Sequence, residues 1–306
     1  MTDGLVLIDK PAGPTSHDIV DGIRRAMGGV RCGHAGTLDP FAGGLLVVAL
    51  GRATRLLRFL SSSDKCYLGL VRLGYATDTD DATGLPLTGP QPVDFTDEAL
   101  ASALAALKGE FDQVSPAYSA RKHEGVPLYR LARTGRAVPV RAAKVTVRWE
   151  RCERIGSDSL EVRVTVSAGT YIRALARDLG ASLGCGGHLA ELRRITSGPF
   201  RVEDALAFPC EREAIEKMLI PLDAIPLDLP AMTVQPDQAR LVHAGASVPV
   251  TIPGAGDTPA PVAGNAPGRD RPRVRILDTA GHLLAVAEIL ATPDGPAAQP
   301  RVVLVE

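Results

Sequence analysis

The sequence has few aromatic residues, few lysines and no long apolar run, and these scarcities exclude whole classes of protein. Only 4% of the 306 residues are aromatic, with a single Trp, and lysine occurs six times. The longest uninterrupted apolar run, residues 45–50, is far shorter than the ~18 residues that a membrane span needs. The first residues contain no basic region leading into an apolar one, so no secretory signal is expected. A soluble, cytoplasmic protein is predicted.

Cysteine is also scarce, which argues against a disulfide scaffold or a zinc ribbon. The five cysteines form an odd, widely spaced set without a C-x-x-C pair. His34 has no His or Cys partner at metal-ligand spacing, and Cys185 with His188 supplies only two ligands. The chain also lacks a P-loop and a G-x-G-x-x-G fingerprint. The sequence therefore predicts neither a metal nor a cofactor.

Charge of both signs is present, but it is distributed unevenly. The 34 basic residues nearly balance the 35 acidic ones. Segment 115–154, however, holds ten basic residues against three acidic ones, while 74–113 holds eight acidic residues and one lysine. A basic segment within a neutral protein is typical of a polyanion partner. A solvated helix and loop face explains the same charges, so charge alone leaves a nucleic-acid partner open.

The order of the elements predicts an α+β fold. Apolar spacing and capping residues predict helices over 16–27, 97–107 and 172–183, and strands over 5–8, 66–73, 145–149 and 160–168. Because these elements do not alternate regularly, a βαβ sheet is not expected.

Proline-rich sequence near 221–230 predicts a domain boundary, with domains over 1–228 and 229–306. Short apolar runs beyond it indicate a small β-rich module. Within that module, residues 253–272 contain five prolines and four glycines, which predicts a flexible surface insertion.

The sharpest local motif is a glycine-rich loop that precedes a buried segment and reads Gly33-His34-Ala35-Gly36-Thr37-Leu38-Asp39-Pro40. Its glycines allow close approach of a ligand, and Pro40 favours an extended Asp39. Asp39 is therefore a candidate nucleophile or general base. A simple turn cap is the alternative, because Asp-Pro is itself a turn signal.

A second candidate is Arg173, in the first turn of the helix that begins near residue 172. A cation there opposes the helix dipole, so Arg173 is a candidate partner for a carboxylate elsewhere in the chain. An exposed helix arginine is the alternative. Tyr67 is either a stacking aromatic or an ordinary half-buried strand residue.

Taken together, the motifs resemble the bacterial TruB family of tRNA pseudouridine synthases over residues 4–230. The resemblance is carried, in chain order, by KPAGPTS at 10–16, GHAGTLDP at 33–40, KCY at 65–67, TDTDDATG at 77–84, PAYSARK at 116–122, GTYIR at 169–173 and LAELRR at 189–194. It implies the pseudouridine synthase fold, with a mixed, largely antiparallel central sheet, followed by a PUA-like C-terminal module.

The resemblance implies that Asp39 isomerises uridine-55 in the tRNA T loop to pseudouridine, without a cofactor. Asp39 either adds to C6 of uracil or acts at C1′ as the base leaves. Arg173 is implied as its salt-bridge partner, and Tyr67 as the platform for the extruded base and a helper in removing the C5 proton.

Further substrate contacts are implied for residues around this centre. His34 would insert beside the extruded nucleotide, and Asp81 would contact the base or order the pocket. Tyr171 and Leu192 would line the pocket, and Lys10 and Lys122 would contact the substrate. Lys122 is the candidate phosphate contact.

The partner implied by the resemblance is the T stem-loop of tRNA, clamped by a basic insertion over about 112–138. A monomer without an obligate protein partner is expected. One rival is a guide-dependent rRNA pseudouridine synthase, which would lack that clamp. Another is a non-catalytic RNA-binding or tRNA-folding protein that retains the fold. An aspartate-dependent glycosidase would need a second carboxylate opposite Asp39, for which Asp81 is the one candidate.

Overall fold

The computed structural model describes residues 2–116, 122–123, 126–127, 142–250 and 271–304. Six helices lie within these ranges: α1 Ser16–Ala26, α2 Leu57–Leu60, α3 Asp97–Ala106, α4 Ile172–Ser182, α5 Arg212–Lys217 and α6 Pro236–His243. The longer strands are β1 Gly4–Lys10, β3 Gly43–Leu50, β4 Lys65–Leu73, β5 Gly109–Val114, β8 Ala142–Ile155, β9 Ser159–Val166, β10 Gly187–Ser197, β16 Arg273–Leu277, β17 Leu283–Thr292 and β18 Gly295–Val303. The short strands are β2 Cys32–His34, β6 Lys122–His123, β7 Val126–Pro127, β11 Phe200–Arg201, β12 Leu206–Ala207, β13 Ile220–Pro221, β14 Ala231–Thr233 and β15 Val248–Pro249.

One large mixed sheet organises the first three quarters of the chain. Its strands run in the order β12-β1-β3-β10-β4-β9-β8-β5, with β2, β11 and β13 on its flanks. Most neighbouring strands are antiparallel, whereas β1 pairs with β12 and β3 with β10 in parallel. The predicted α+β class and the largely antiparallel sheet are confirmed.

The centre of this sheet is covered on both faces, which explains why β3 is apolar throughout. Leu46 and Val48 face the core beneath α1, whereas Leu45 and Val47 face the core on the opposite side. A strand buried on both faces is expected to be continuously hydrophobic rather than alternating.

Helix α1 begins as the sequence predicts, at a capping box. The Thr15 hydroxyl accepts a hydrogen bond from the Asp18 amide at 3.1 Å, and the Asp18 carboxylate accepts one from the Thr15 amide at 2.8 Å. The helix ends before Gly28 and Gly29, whose φ angles are 70° and 90°.

The C-terminal part forms a separate five-stranded sheet in the order β14-β16-β17-β18-β15, so the predicted β-rich module is present. Most of the proposed insertion 253–272 and of the proposed clamp 112–138 lies outside the described residues. The domain boundary near 228 stays a prediction. Among the described residues, no helix is long and apolar enough to cross a membrane.

Several boundaries differ from the expected ones. The loop over 31–40 contains the short strand β2, which pairs with β3. β8 is much longer than the predicted 145–149, because its second half continues as a solvated antiparallel partner of β9. Polar residues dominate that half, which hides it from a search for apolar runs.

Candidate active site

A cavity of about 280 Å³ brings the central motifs together beside the middle strands β10 and β4 of the large sheet. Asp39 comes from the loop before β3, Tyr67 from β4 and Leu192 from β10. Tyr171 and Arg173 come from the start of α4. Motifs more than 150 residues apart in sequence, such as those of Asp39 and Leu192, therefore share one cavity.

The loop that carries Asp39 is held on both sides of this residue. The Ser16 hydroxyl of α1 exchanges hydrogen bonds with the Leu38 amide at 2.8 Å and the Leu38 carbonyl at 3.0 Å. On the other side, the Lys10 ammonium donates to the Pro40 carbonyl at 3.2 Å. Asp39 thus lies between two anchored neighbours, which fixes its carboxylate in the cavity.

The Arg173 guanidinium joins Asp39 to a second carboxylate. Its Nε lies 2.9 Å from Asp39 Oδ2, and its Nη2 donates to Asp39 Oδ1 at 3.3 Å. On the opposite side, Nη1 lies 3.2 Å from Asp81 Oδ2 and donates to the Thr79 carbonyl at 2.9 Å. Arg173 is only 6% exposed, and Asp81 is 4% exposed. The predicted pairing of Arg173 with a carboxylate is therefore present, and it involves two.

Asp81 lies behind Arg173 rather than at the cavity wall. Its Oδ1 accepts hydrogen bonds from the Thr79 hydroxyl at 2.8 Å and from the Thr83 amide at 2.9 Å. With Oδ2 facing Arg173, both oxygens are engaged by protein. This geometry favours pocket ordering, the second of the two roles considered for Asp81, over contact with the base.

Burial and charge act on the Asp39 carboxyl in opposite directions. Burial raises its pKa, Arg173 lowers it, Asp81 raises it and Lys10 lowers it, with burial the largest effect. The pKa of Asp39 is consequently above its usual 3.8. Arg173 thus opposes the burial effect without cancelling it.

Lys10 occupies a place that differs from the predicted contact with substrate. Its side chain is 0% exposed, and its ammonium donates to the carbonyls of Pro11 at 2.9 Å, Pro14 at 2.8 Å and Pro40 at 3.2 Å. Burial lowers the pKa of Lys10 to about 8. The geometry makes Lys10 an anchor of the Asp39 loop, because its three donors are engaged by the backbone.

Tyr67, Tyr171 and Leu192 line the cavity, as the resemblance implies. Tyr67 is 8% exposed and belongs to the apolar core of the large sheet, so only part of its ring faces the cavity. Leu192 is 9% exposed. Together these side chains form the apolar part of a lining that also contains charged and hydroxyl groups.

His34 lies on β2, and the cavity lining described by the structure does not include it. Its Nδ1 is buried and has no hydrogen-bond partner among the described residues. Burial and the charges of Arg194 and His17 lower the pKa of His34, which favours the neutral ring. For Lys122, the structure describes the backbone of β6 only, and the side chain lies outside the described part.

Two cations at the cavity were not singled out by sequence reasoning. Arg194 is 1% exposed and donates to the carbonyls of Leu45 at 2.6 Å and Gly36 at 3.1 Å. Lys65 is 6% exposed and donates to the Ser61 and Ser63 carbonyls. Strand alternation would have placed Lys65 on the face of Tyr67, and Arg194 on the face of Leu192. Among the described residues, no cluster of three or more His, Cys, Asp or Glu could hold a metal ion.

Comparisons with known proteins show the family of this chain. The model of the TruB family pseudouridylate synthase (N terminal domain) matches residues 24–172, and that of the tRNA pseudouridylate synthase B C-terminal domain matches 173–225. A tRNA pseudouridine synthase B of Aromatoleum aromaticum is 45% identical over 251 residues, covering 80% of each chain. That of Thermotoga maritima is 37% identical, covering 94% of this chain and 90% of the relative.

A solved structure extends the similarity to nearly the whole chain. A chain in the crystal structure of a Cbf5-Nop10-Gar1 complex aligns with a TM-score of 0.72 and 27% identity, covering 99% of this chain and 85% of that one. The predicted pseudouridine synthase fold is thereby confirmed. With the matched family models and the two relatives, these similarities show that the chain is an enzyme and belongs to the TruB family of pseudouridylate synthases.

Proposed function

We propose that this chain isomerises uridine-55 in the T loop of tRNA to pseudouridine, with Asp39 as the catalytic group. The carrying observation is the buried Arg173 guanidinium, which bridges Asp39 and Asp81 in the cavity that Tyr67 also lines. The relatives named tRNA pseudouridine synthase B support tRNA as the substrate.

The reaction needs a positioned carboxylate and no redox partner. The N1–C1′ bond breaks, the uracil turns while bound, and a C5–C1′ bond forms. The proton on C5 is released, and N1 gains a proton, so atoms and electrons balance without a donor. Asp39 adds to C6 or acts at C1′, and both routes require its ionised form. Arg173 favours that form by lowering the pKa of the Asp39 carboxyl.

The size and lining of the cavity suit a single extruded base. About 280 Å³ accommodates one pyrimidine and not a paired duplex. Tyr67 presents part of a ring to the space beside Asp39, where a stacked base gains roughly 1–3 kcal/mol. Leu192 and Tyr171 also line this cavity.

The test measures tritium release from a tRNA transcript that carries [5-³H]uridine. We expect the native protein to release about one equivalent per tRNA, since one C5 proton leaves per pseudouridine formed. Asp39→Asn should bind the transcript and release none. The matched control, Asp158→Asn, changes an exposed carboxylate that pairs with Arg72, and should release tritium like the native protein.

Each alternative outcome has a defined meaning. Binding without release from the native protein would contradict the synthase proposal and favour the RNA-binding reading. Equal release from native protein and Asp39→Asn would remove Asp39 from the reaction. A transcript with cytidine at position 55 should abolish release, and continued release would contradict the site. Activity of the purified chain would also support the expectation that no protein partner is required.

A further inference from the structure

Gln113 is the only buried residue of strand β5, and the chemistry proposed above does not use it. Its side chain is directed at the backbone of a single residue: Oε1 accepts from the Tyr171 amide at 2.8 Å, and Nε2 donates to the Tyr171 carbonyl at 3.0 Å. Gln113 is 2% exposed. Both ends of the amide are therefore used to hold one peptide position.

That position adjoins the site. Tyr171 is the N-cap residue of α4, and its own side chain makes no capping bond. It lines the cavity, and Arg173 follows two residues later in the first turn of the helix. The Gln113 amide thus fixes the point from which α4 carries the guanidinium to Asp39.

A second contact connects the same two elements. Arg177, one turn beyond Arg173, donates through Nη2 to the Val114 carbonyl at 3.4 Å. Its Nη1 lies 2.9 Å from Asp80 Oδ2, in the loop that also carries Asp81. The C-terminal end of β5 is therefore connected to α4 at both Tyr171 and Arg177.

Gln113 lies where the chain leaves the large sheet, at the end of β5. β5 is the last strand of the large sheet and pairs with β8, where Val114 lies opposite Ala142. The chain leaves the sheet after Val114 and re-enters at Ala142, so the stretch between them begins and ends beside the Gln113–Ala143 pair. The position of the end of β5 and the position of α4 are thereby linked.

We propose that Gln113 is a positioning residue. From its place near the end of β5, it fixes the first turn of α4 and hence holds Arg173 against Asp39. The inference rests on the proposed function, because it assigns Gln113 a part in the same reaction. Arg173 Nη2 already lies 3.3 Å from Asp39 Oδ1, so a small displacement of α4 breaks that bond.

The first variant is Gln113→Met, which keeps the length of the side chain and removes both hydrogen bonds. We expect the single-turnover rate to fall by about 10- to 100-fold, as a misplacement near 1 Å does, while the Kd for tRNA changes less than about twofold. The acid limb of the pH–rate profile, where the rate falls as Asp39 is protonated, should move to higher pH. A displaced Arg173 lowers the pKa of Asp39 less than a correctly placed one does.

The matched control is Gln299→Met. Gln299 donates to the Gly245 carbonyl at 2.8 Å in the C-terminal sheet, so this change removes a similar bond far from the cavity. Rate, tRNA affinity and acid limb should stay unchanged. Hydrogen exchange in the first turn of α4 should quicken in Gln113→Met and not in Gln299→Met, which tests the placement without relying on activity.

Gln113→Glu supplies a rescue that a purely structural role does not predict. A protonated carboxylic acid has one acceptor and one donor, so it reproduces both bonds to Tyr171, whereas the ionised form loses the donor. The rate of Gln113→Glu relative to native protein should rise as pH falls, and Gln113→Met should show no such rise.

The proposal is overturned if Gln113→Met keeps the native rate and acid limb, or if weaker tRNA binding accounts for the whole loss. Unchanged exchange in α4 would overturn it as well. These outcomes are distinct from failure of the proposed function, which shows as absent or misplaced tritium release by the native protein itself.

Discussion

At the scale of single residues, the Asp39–Arg173 pair shows two opposing effects on one carboxyl. Burial strengthens every charge interaction in the cavity, and it also penalises the ionised carboxylate that the proposed reaction requires. The pKa of Asp39 therefore stays above 3.8 even with Arg173 beside it. Because the proposed reaction uses the ionised form, we expect the rate to rise with pH through that raised pKa.

Arg173→Lys tests this balance. A lysine keeps the charge but lacks the planar fork that faces Asp39 on one side and Asp81 on the other. We expect the single-turnover rate to fall roughly 100-fold, since positioning is lost with the charge retained. The acid limb should move to higher pH, as weaker pairing raises the pKa of Asp39 further. Arg72→Lys, at an exposed pair, is the control. An unshifted limb would argue against the pairing as the cause.

At the scale of elements, the sequence predicted those helices and strands that short stretches of residues determine by themselves. The cap at Thr15 and the alternation of β9 lie in short windows, and both elements occur where expected. The sequence also singled out Asp39 and Arg173, which the structure pairs, because a glycine-rich loop and an unfavourable helix charge are local signals. It could not show that Lys10 faces three backbone carbonyls, or that Gln113 faces Tyr171. Those contacts depend on which helices, strands and loops pack against one another, and no short stretch of sequence shows that packing.

Lys10 links the end of β1 to the loop that carries Asp39, which leads to a prediction for Lys10→Met. The change removes a donor from the Pro11, Pro14 and Pro40 carbonyls in the interior. We expect a loss of about 1–3 kcal/mol in the free energy of unfolding. Denaturant titration measures it. The rate should also fall, since Pro40 adjoins Asp39. The exposed Lys217→Met is the control, and a native rate in Lys10→Met would contradict the anchoring role.

At the scale of the whole molecule, the two sheets share a hydrophobic core. Leu283, Val286 and Leu304 of the C-terminal part pack in one cluster with Leu5 and other residues of the large sheet. The Leu304 carbonyl also accepts a hydrogen bond from Arg52 at 2.8 Å. Composition and proline content predict a boundary near 228, whereas the shared core predicts that the two parts depend on each other for stability. Separable sequence segments need not be independent folding units.

Leu304→Ala tests whether the two sheets unfold together. The test is possible because the chain has a single tryptophan, which lies in the large sheet. Trp149 on β8 donates to the Leu107 carbonyl at 3.0 Å, so its fluorescence reports on that sheet alone. Leu304 is 1% exposed, and its truncation should cost roughly 2–4 kcal/mol. If the sheets unfold together, the midpoint of the Trp149 transition moves to a lower denaturant concentration, by that free-energy loss divided by the m-value. Leu241→Ala, at a residue 46% exposed, should leave it in place. An unmoved Trp149 transition in Leu304→Ala would instead mean that the C-terminal sheet unfolds by itself, and that the boundary near 228 separates two independently stable parts.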